Sequence, residues 1–323
     1  MNKKYVIISL TGLVVLLVLP FIGVIKIDFS SIFSEGAGSF IFWQLRVPRT
    51  ILAFIVGSTL ALAGLIFQNI FRNSLATPYT LGVSSGSAAA VVTAIKLKIS
   101  LVFLGLNGIY LFGFLGAIIT ILVILGIARM VKSFSIYTLL MSGIALNFFF
   151  SSLILLVQYL LDFTETLSVL RWLMGGLEAP GYGEILILLP LYLFFVITTF
   201  LIKNELILIS GGDQFAHSKG LDVKKFRIFV FIMVSFLVGV VVSITGPIGF
   251  VGLIVPHISR LIFKNEFKHV VYFTIFIGGL LLVVTDFIAR VIIPPVQIPV
   301  GIITAFMGAP FFLFILVSKL KKG

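Results

Sequence analysis

Cysteine is absent from the 323-residue chain, which excludes disulfides and thiolate metal sites. Charge is scarce too. Asp, Glu, Lys and Arg make up 11% of residues, against about a quarter in a soluble domain. No hydrophilic stretch is long enough to fold as a soluble domain; the longest interior one runs from Lys203 to Arg227. No G-x-x-x-x-G-K-[ST] occurs, so the chain cannot cradle ATP phosphates by that route. The three histidines, His217, His257 and His269, are dispersed and no H-E-x-x-H is present, so no metal site and no catalytic residue is expected. His257 has only Ser259 and Arg260 nearby in its span, which argues against an intramembrane enzyme. The apolar runs hold essentially no carboxylate, with Asp286 near the end of one of them. Carriers driven by protons or sodium place carboxylates inside the bilayer, so the energy source is expected on another chain.

What the sequence does have is apolar surface: 60% of residues are hydrophobic and the mean hydropathy is +1.26. The apolar runs are continuous, which excludes a β-barrel, whose strands alternate apolar and polar residues. They predict an all-α membrane protein of about ten spans, at 5–25, 51–71, 80–95, 107–128, 136–160, 185–202, 228–245, 247–263, 270–288 and 298–318. Lys3 and Lys4 precede the first run, which no small-residue cleavage site follows, so an uncleaved span is expected. The spans at 80–95 and 247–263 are short and broken by Gly or Pro. Such helices persist only when buried among others.

With both termini cytoplasmic, all but seven of the 23 basic residues fall inside. The seven outside are Lys26, Arg46, Arg49, Lys96, Lys98, Arg171 and Arg290, and the acids left inside are Glu205, Asp213, Asp222 and Glu266. This is the positive-inside pattern. It accounts for the net charge of +12 without a nucleic-acid partner; the partner it implies is membrane lipid.

Two helical faces stand out. Ala53, Gly57, Ala61, Gly64 and Gln68 share one face of the second span, as a close packing seam would require. In the fifth span Ser135, Thr138, Ser142, Ala145, Phe149 and Ser152 form a hydroxyl-bearing stripe. It can line a translocation path or supply interhelical hydrogen bonds. Gly301, Ala305 and Gly308 form a smaller seam in the last span, between helices or between subunits.

Arg46 and Arg49 bracket Pro48 before the second span, and Arg290 ends the ninth. They can snorkel to headgroups, or Arg290 can pair with Asp286 one turn earlier. Alternatively they present guanidinium forks to the carboxylates of an external protein. The stretch 209–227 holds glycines at 211, 212 and 220 between short helical pieces with apolar points at Phe215, Ala216 and Leu221. It is either a solvated basic loop or a peg for a cytoplasmic partner.

The motifs W-Q-L-R-V-P-R-T (43–50), Q-N-I-F-R-N-S-L-A-T-P-Y-T-L-G-V-S-S-G (68–86), G-P-I-G-F-V-G-L-I-V-P-H-I-S-R (246–260), D-F-I-A-R (286–290) and I-P-V-G-I-I-T-A-F-M-G-A-P-F-F (298–312) run nearly end to end. Together they resemble the permease subunits of ABC importers for iron–siderophores, haem and vitamin B12. The resemblance implies one transmembrane permease domain over 1–323, vitamin B12 permease-like, with no nucleotide-binding domain, in the cytoplasmic membrane of a prokaryote. It implies a homodimer, two cytoplasmic ATPase subunits carrying ATP and Mg, and an extracytoplasmic substrate-binding protein. Docking of that protein falls on Arg46, Arg49 and Arg290. The ATPase coupling loop, about 204–227, falls on Gly212, Asp213, Phe215, Ala216, Gly220 and Leu221, with Gly211 and Lys219 standing where leucines are usual. The cytoplasmic gate falls at the start of the fifth span, around Ile136 and Tyr137, the latter bulkier than usual. The substrate implied is an iron chelate (siderophore or haem); vitamin B12 or an oxyanion such as molybdate is the alternative. A secondary transporter working without an ATPase is the rival outside the family.

Overall fold

The computed structural model describes residues 3–99, 102–103, 106–131, 135–177, 181–263 and 267–320. Lys132, Lys264, Lys321 and Lys322, assigned above to the inside, and Glu266 lie outside the described residues. The chain is a bundle of helices. In order they are α1 (Lys3–Val18), α2 (Ala37–Phe40), α3 (Val47–Ile70), α4 (Val83–Lys96), α5 (Gly108–Met130), α6 (Ile136–Tyr159), α7 (Phe163–Leu173), α8 (Gly183–Leu201), α9 (Lys203–Ser210), α10 (Asp213–Ser218), α11 (Val223–Thr245), α12 (Val251–Ile262), α13 (Phe267–Val291) and α14 (Val300–Leu320). A two-residue antiparallel pair, Val102–Phe103 with Leu106–Asn107, precedes α5.

Each of the ten apolar stretches read from the sequence forms a helix. Among the described residues six helical runs are long and apolar enough to cross a membrane by length and composition, and four shorter apolar helices accompany them. The second span starts earlier than its apolar run suggests, because the helix is continuous from Ala37 to Ile70. Pro48 has no N–H to give the carbonyl four residues back, and the stretch Ile41–Arg46 takes π-helical geometry just before it. A wider turn there absorbs the missing bond without ending the helix.

Other ends are set by local chemistry. Ser135 caps α6 through the backbone N–H of Thr138. Asp162 and Glu165 form a capping box at α7, a motif readable in D-F-T-E. Asp222 caps α11 by accepting from the N–H of Lys225.

Helix α3 is the buried centre, wrapped by α8, α9, α11, α12 and α13. Its small-residue face is a packing seam. A Cβ on Gly57 would collide with the carbonyl of Gly278 in α13, and one on Gly64 with the carbonyl of Gly252 in α12. In hydrocarbon, where helices gain nothing by hiding apolar surface, such backbone approach is a main source of cohesion. The seam in α14 is also internal: Gly301 abuts the Met174 carbonyl and Gly308 the Phe250 ring. Chain breaks are held inside the bundle. Phe250, at φ +65°, precedes α12, and Gly176 donates to the Thr245 carbonyl at 2.8 Å.

Candidate functional site

Functional candidates gather at the two ends of α3. At its N-terminal end Asp286, 1% exposed, sits between two arginines. Arg49 gives Nε and Nη2 to Asp286 Oδ1, both at 2.8 Å, and Arg290 gives Nε to Oδ2 at 3.0 Å. Arg49 Nη1 also donates to Gln297 Oε1 at 2.9 Å. The expected pairing of Arg290 with Asp286 is therefore present, and Arg49 joins it. Arg46 is different. Its side chain is buried and donates to the carbonyls of Pro20, Phe21 and Ile25, tying the end of the first span to α3. It neither snorkels nor stands free. All three arginines line one open cleft of about 640 Å³, with Gln297 and Leu177. One carboxylate among three guanidiniums leaves the cleft positive.

At the opposite end, about 30 Å away by helical rise, Phe67 of α3 stacks on Phe231 of α11 with centroids 6.0 Å apart. Just beyond lies the 203–227 stretch, which folds into two short helices, α9 and α10, as its length allowed. Gly212, at φ +117°, starts α10, and the guanidinium of Arg72 lies beside it. Asp213 accepts twice from Arg227 Nη2, at 3.0 Å, which fastens α10 to buried Arg227 of α11. At the other end of α10, Gly220 N–H donates to the His217 carbonyl and Leu221 N–H to that of Ala216. This is a Schellman closure, and it needs the left-handed φ of +85° that Gly220 supplies. Ala216 is buried as the foot of α10 while Phe215 is exposed at its tip. Asp222 is held below the usual carboxylate range, chiefly by the Lys225 backbone N–H.

Part of the hydroxyl stripe of α6 bonds within its own helix. Ser135 spends its oxygen on the helix cap, and Ser152 donates to the Phe148 carbonyl of its own helix. Ser142 is buried, whereas Tyr137, Phe149 and Ser152 are exposed and Ile136 and Thr138 partly so. Few residues of α6 are covered by this chain.

Sequence reasoning missed three contacts. The Arg46 anchorage joins segments whose bonding groups are backbone carbonyls, invisible to side-chain motifs. Arg49–Asp286 and Arg227–Asp213 need the tertiary fold to bring them together. A further polar link ties α12 to α3: Arg260 donates to Gln68 Oε1 at 2.6 Å, and Gln68 Nε2 to the Gly252 carbonyl at 3.0 Å. Among the described residues no group of three His, Asp or Glu side chains could hold a metal ion.

A family model described as the FecCD transport family matches residues 10–318. The chain belongs to the FecCD transport family. Relatives agree. The Fe(3+)-citrate import system permease protein of Bacillus subtilis (strain 168) is 37% identical over 289 residues, covering 88% of this chain and 84% of that one. The vitamin B12 import system permease protein of Klebsiella pneumoniae is 31% identical over 292 residues, covering 90% and 86%. A solved structure described as an inward-facing conformation of a metal-chelate type ABC transporter superposes with a TM-score of 0.85 at 30% identity, covering 98% and 99%. These findings bear out the resemblance read from the motifs. This FecCD chain is a multi-pass membrane transport permease.

Proposed function

We propose that this FecCD chain is the permease subunit of a binding-protein-dependent ABC importer that brings an iron chelate, a siderophore complex or haem, into a prokaryotic cell across the cytoplasmic membrane. In this reading all ten apolar helices span, both termini are cytoplasmic, and residues 1–323 form one transmembrane domain. Two copies pair around a central path, and the thin covering of α6 supports placing its stripe, from Ser135 to Ser152, on that path. Two ATPase subunits, loaded with ATP and Mg, grip α10. An extracytoplasmic binding protein docks its carboxylates on the cleft of Arg46, Arg49 and Arg290.

The observation that carries the reading is polarity. A positive cleft and a short helix anchored by Asp213–Arg227 lie toward opposite ends of α3. ATP binding closes the ATPase pair, pushes on α10 and shifts the population between outward- and inward-facing states. The metal-chelate neighbour and the ferric-citrate relative support the cargo class. The vitamin B12 relative keeps cobalamin as the second reading.

The test is neutralisation at Arg49, since Arg46 also ties the first span to α3 and a carboxylate at position 49 would face buried Asp286. Arg290 still pairs with Asp286 in Arg49→Gln, so that permease, matched to the parent for assembly with its ATPases and basal ATP hydrolysis, should lose at least tenfold in affinity for the binding protein. Undiminished capture in a pull-down would overturn the docking assignment, and uphill uptake by the permease reconstituted alone would overturn the importer.

A further inference from the structure

Helices α8 and α11 do not close on each other along their whole length. Between them runs an apolar groove of about 260 Å³. Its floor is Phe195 and Leu237, 1% and 3% exposed, and its walls are Phe194, Phe229 and Phe236, all exposed to the surroundings of the bundle. Pro190 lies one residue before the groove in α8, where it deprives that helix of a rung of its hydrogen-bond ladder. From Phe229 to Leu237 the groove extends about 12 Å along the α11 axis. Empty apolar space of this size forfeits dispersion contacts on every wall, and the chain itself puts no side chain into it.

Below the groove the chemistry changes. Lys225 lies four residues before Phe229, on the same stripe of α11 as Phe229, Ile232 and Phe236. Its ammonium is exposed, and its pairing with Asp222 at 3.1 Å is between exposed groups, which holds it weakly. One turn of helix, about 5.4 Å, thus separates the apolar slot from a cation at the bundle's rim. A glycerophospholipid carries its anion at that offset from its acyl chains.

We propose that the α8–α11 groove is a specific site for an anionic glycerophospholipid, one acyl chain lying in the slot between Phe194 and Phe229 and the headgroup phosphate on Lys225. The site lies apart from the positive cleft, and it does not depend on which solute the chain carries. A zwitterionic lipid fills the slot equally well but gains less from Lys225, since a juxtamembrane lysine favours an anionic lipid about fivefold.

The experiment uses the full chain in vesicles with a reporter in the groove. In Phe229→Trp, or in Phe236→Trp should the first variant express poorly, the added fluorescence is read against the parent protein. The parent's own tryptophans, Trp43 and Trp172, lie toward the opposite end of the bundle. Brominated phosphatidylglycerol should quench the reporter at about one fifth the mole fraction that brominated phosphatidylcholine needs. Adding Lys225→Gln should bring the two lipids together, whereas Lys98→Gln should leave the preference intact. Equal quenching by the two lipids with Lys225 in place would overturn the headgroup assignment. Failure of both lipids to quench, as when a protein segment covers the groove, would overturn the site.

Discussion

Replacing Asp286 with Asn removes the carboxylate on which Arg49 and Arg290 both close, while keeping the side chain's size. Asp286 is 1% exposed and receives Arg49 at 2.8 Å and Arg290 at 3.0 Å. An amide can accept from one guanidinium, but it turns an NH₂ donor toward the other, so at least one buried cation is left uncompensated. Breaking a buried pair in this way costs about 3–5 kcal/mol, most of it the penalty on the stranded charge. At about 2 °C per kcal/mol for a chain of this size, thermal unfolding in detergent should fall by roughly 6–10 °C. The same logic makes the double variant Asp286→Asn/Arg290→Gln milder than the sum of its parts by about 2 kcal/mol, because it removes a stranded cation along with its anion. A single variant that melts within 1 °C of the parent, or a double variant whose losses simply add, would refute the idea that the cluster is held by this carboxylate.

Gly64→Val should abolish stable expression, since its side chain meets the Gly252 backbone, whereas Gly126→Ala, with open space around it, should be silent in the same membrane-fraction blot. Gly220→Pro forces φ from +85° to about −65° and deletes the N–H that donates to His217. ATP hydrolysis should continue in proteoliposomes while uptake drops at least tenfold, and persistence of tight linkage would count against α10 as the peg. Asp162 and Glu165 both titrate below their usual values, chiefly because each side chain accepts a backbone N–H from the other residue. Depressed carboxylates stabilise above their unfolded values of about 4 and cease to do so as pH falls through the lower folded ones. Hydrogen exchange in α7 should therefore be unchanged from pH 7 to 5, after correction for intrinsic rates, and should quicken below about pH 4.

Spans were legible because hydrocarbon demands continuous apolar helix, a signal that survives without any tertiary knowledge. The α3 seam was legible for a related reason: small residues at spacings of three and four have one main use between membrane helices. Asp286–Arg290 was visible as an i, i+4 pair. Arg49 was not, because 237 residues separate it from Asp286 and nothing local marks the match. The anchorage of Arg46 was hidden for a more general reason. Its partners are carbonyls in and just after a short 3₁₀ turn, Leu19–Phe21, and any residue type supplies a carbonyl. The early start of the second helix was hidden by Pro48, which reads as a boundary unless a π-turn is already known to precede it.

The contacts of Gly57 with Gly278 and of Gly64 with Gly252 bring main chain against main chain, with no rotamers in between to give way. Helices α3, α12 and α13 consequently behave as one keel that can tilt but not slide internally. In the proposed import cycle the stroke therefore falls to the helices outside this keel.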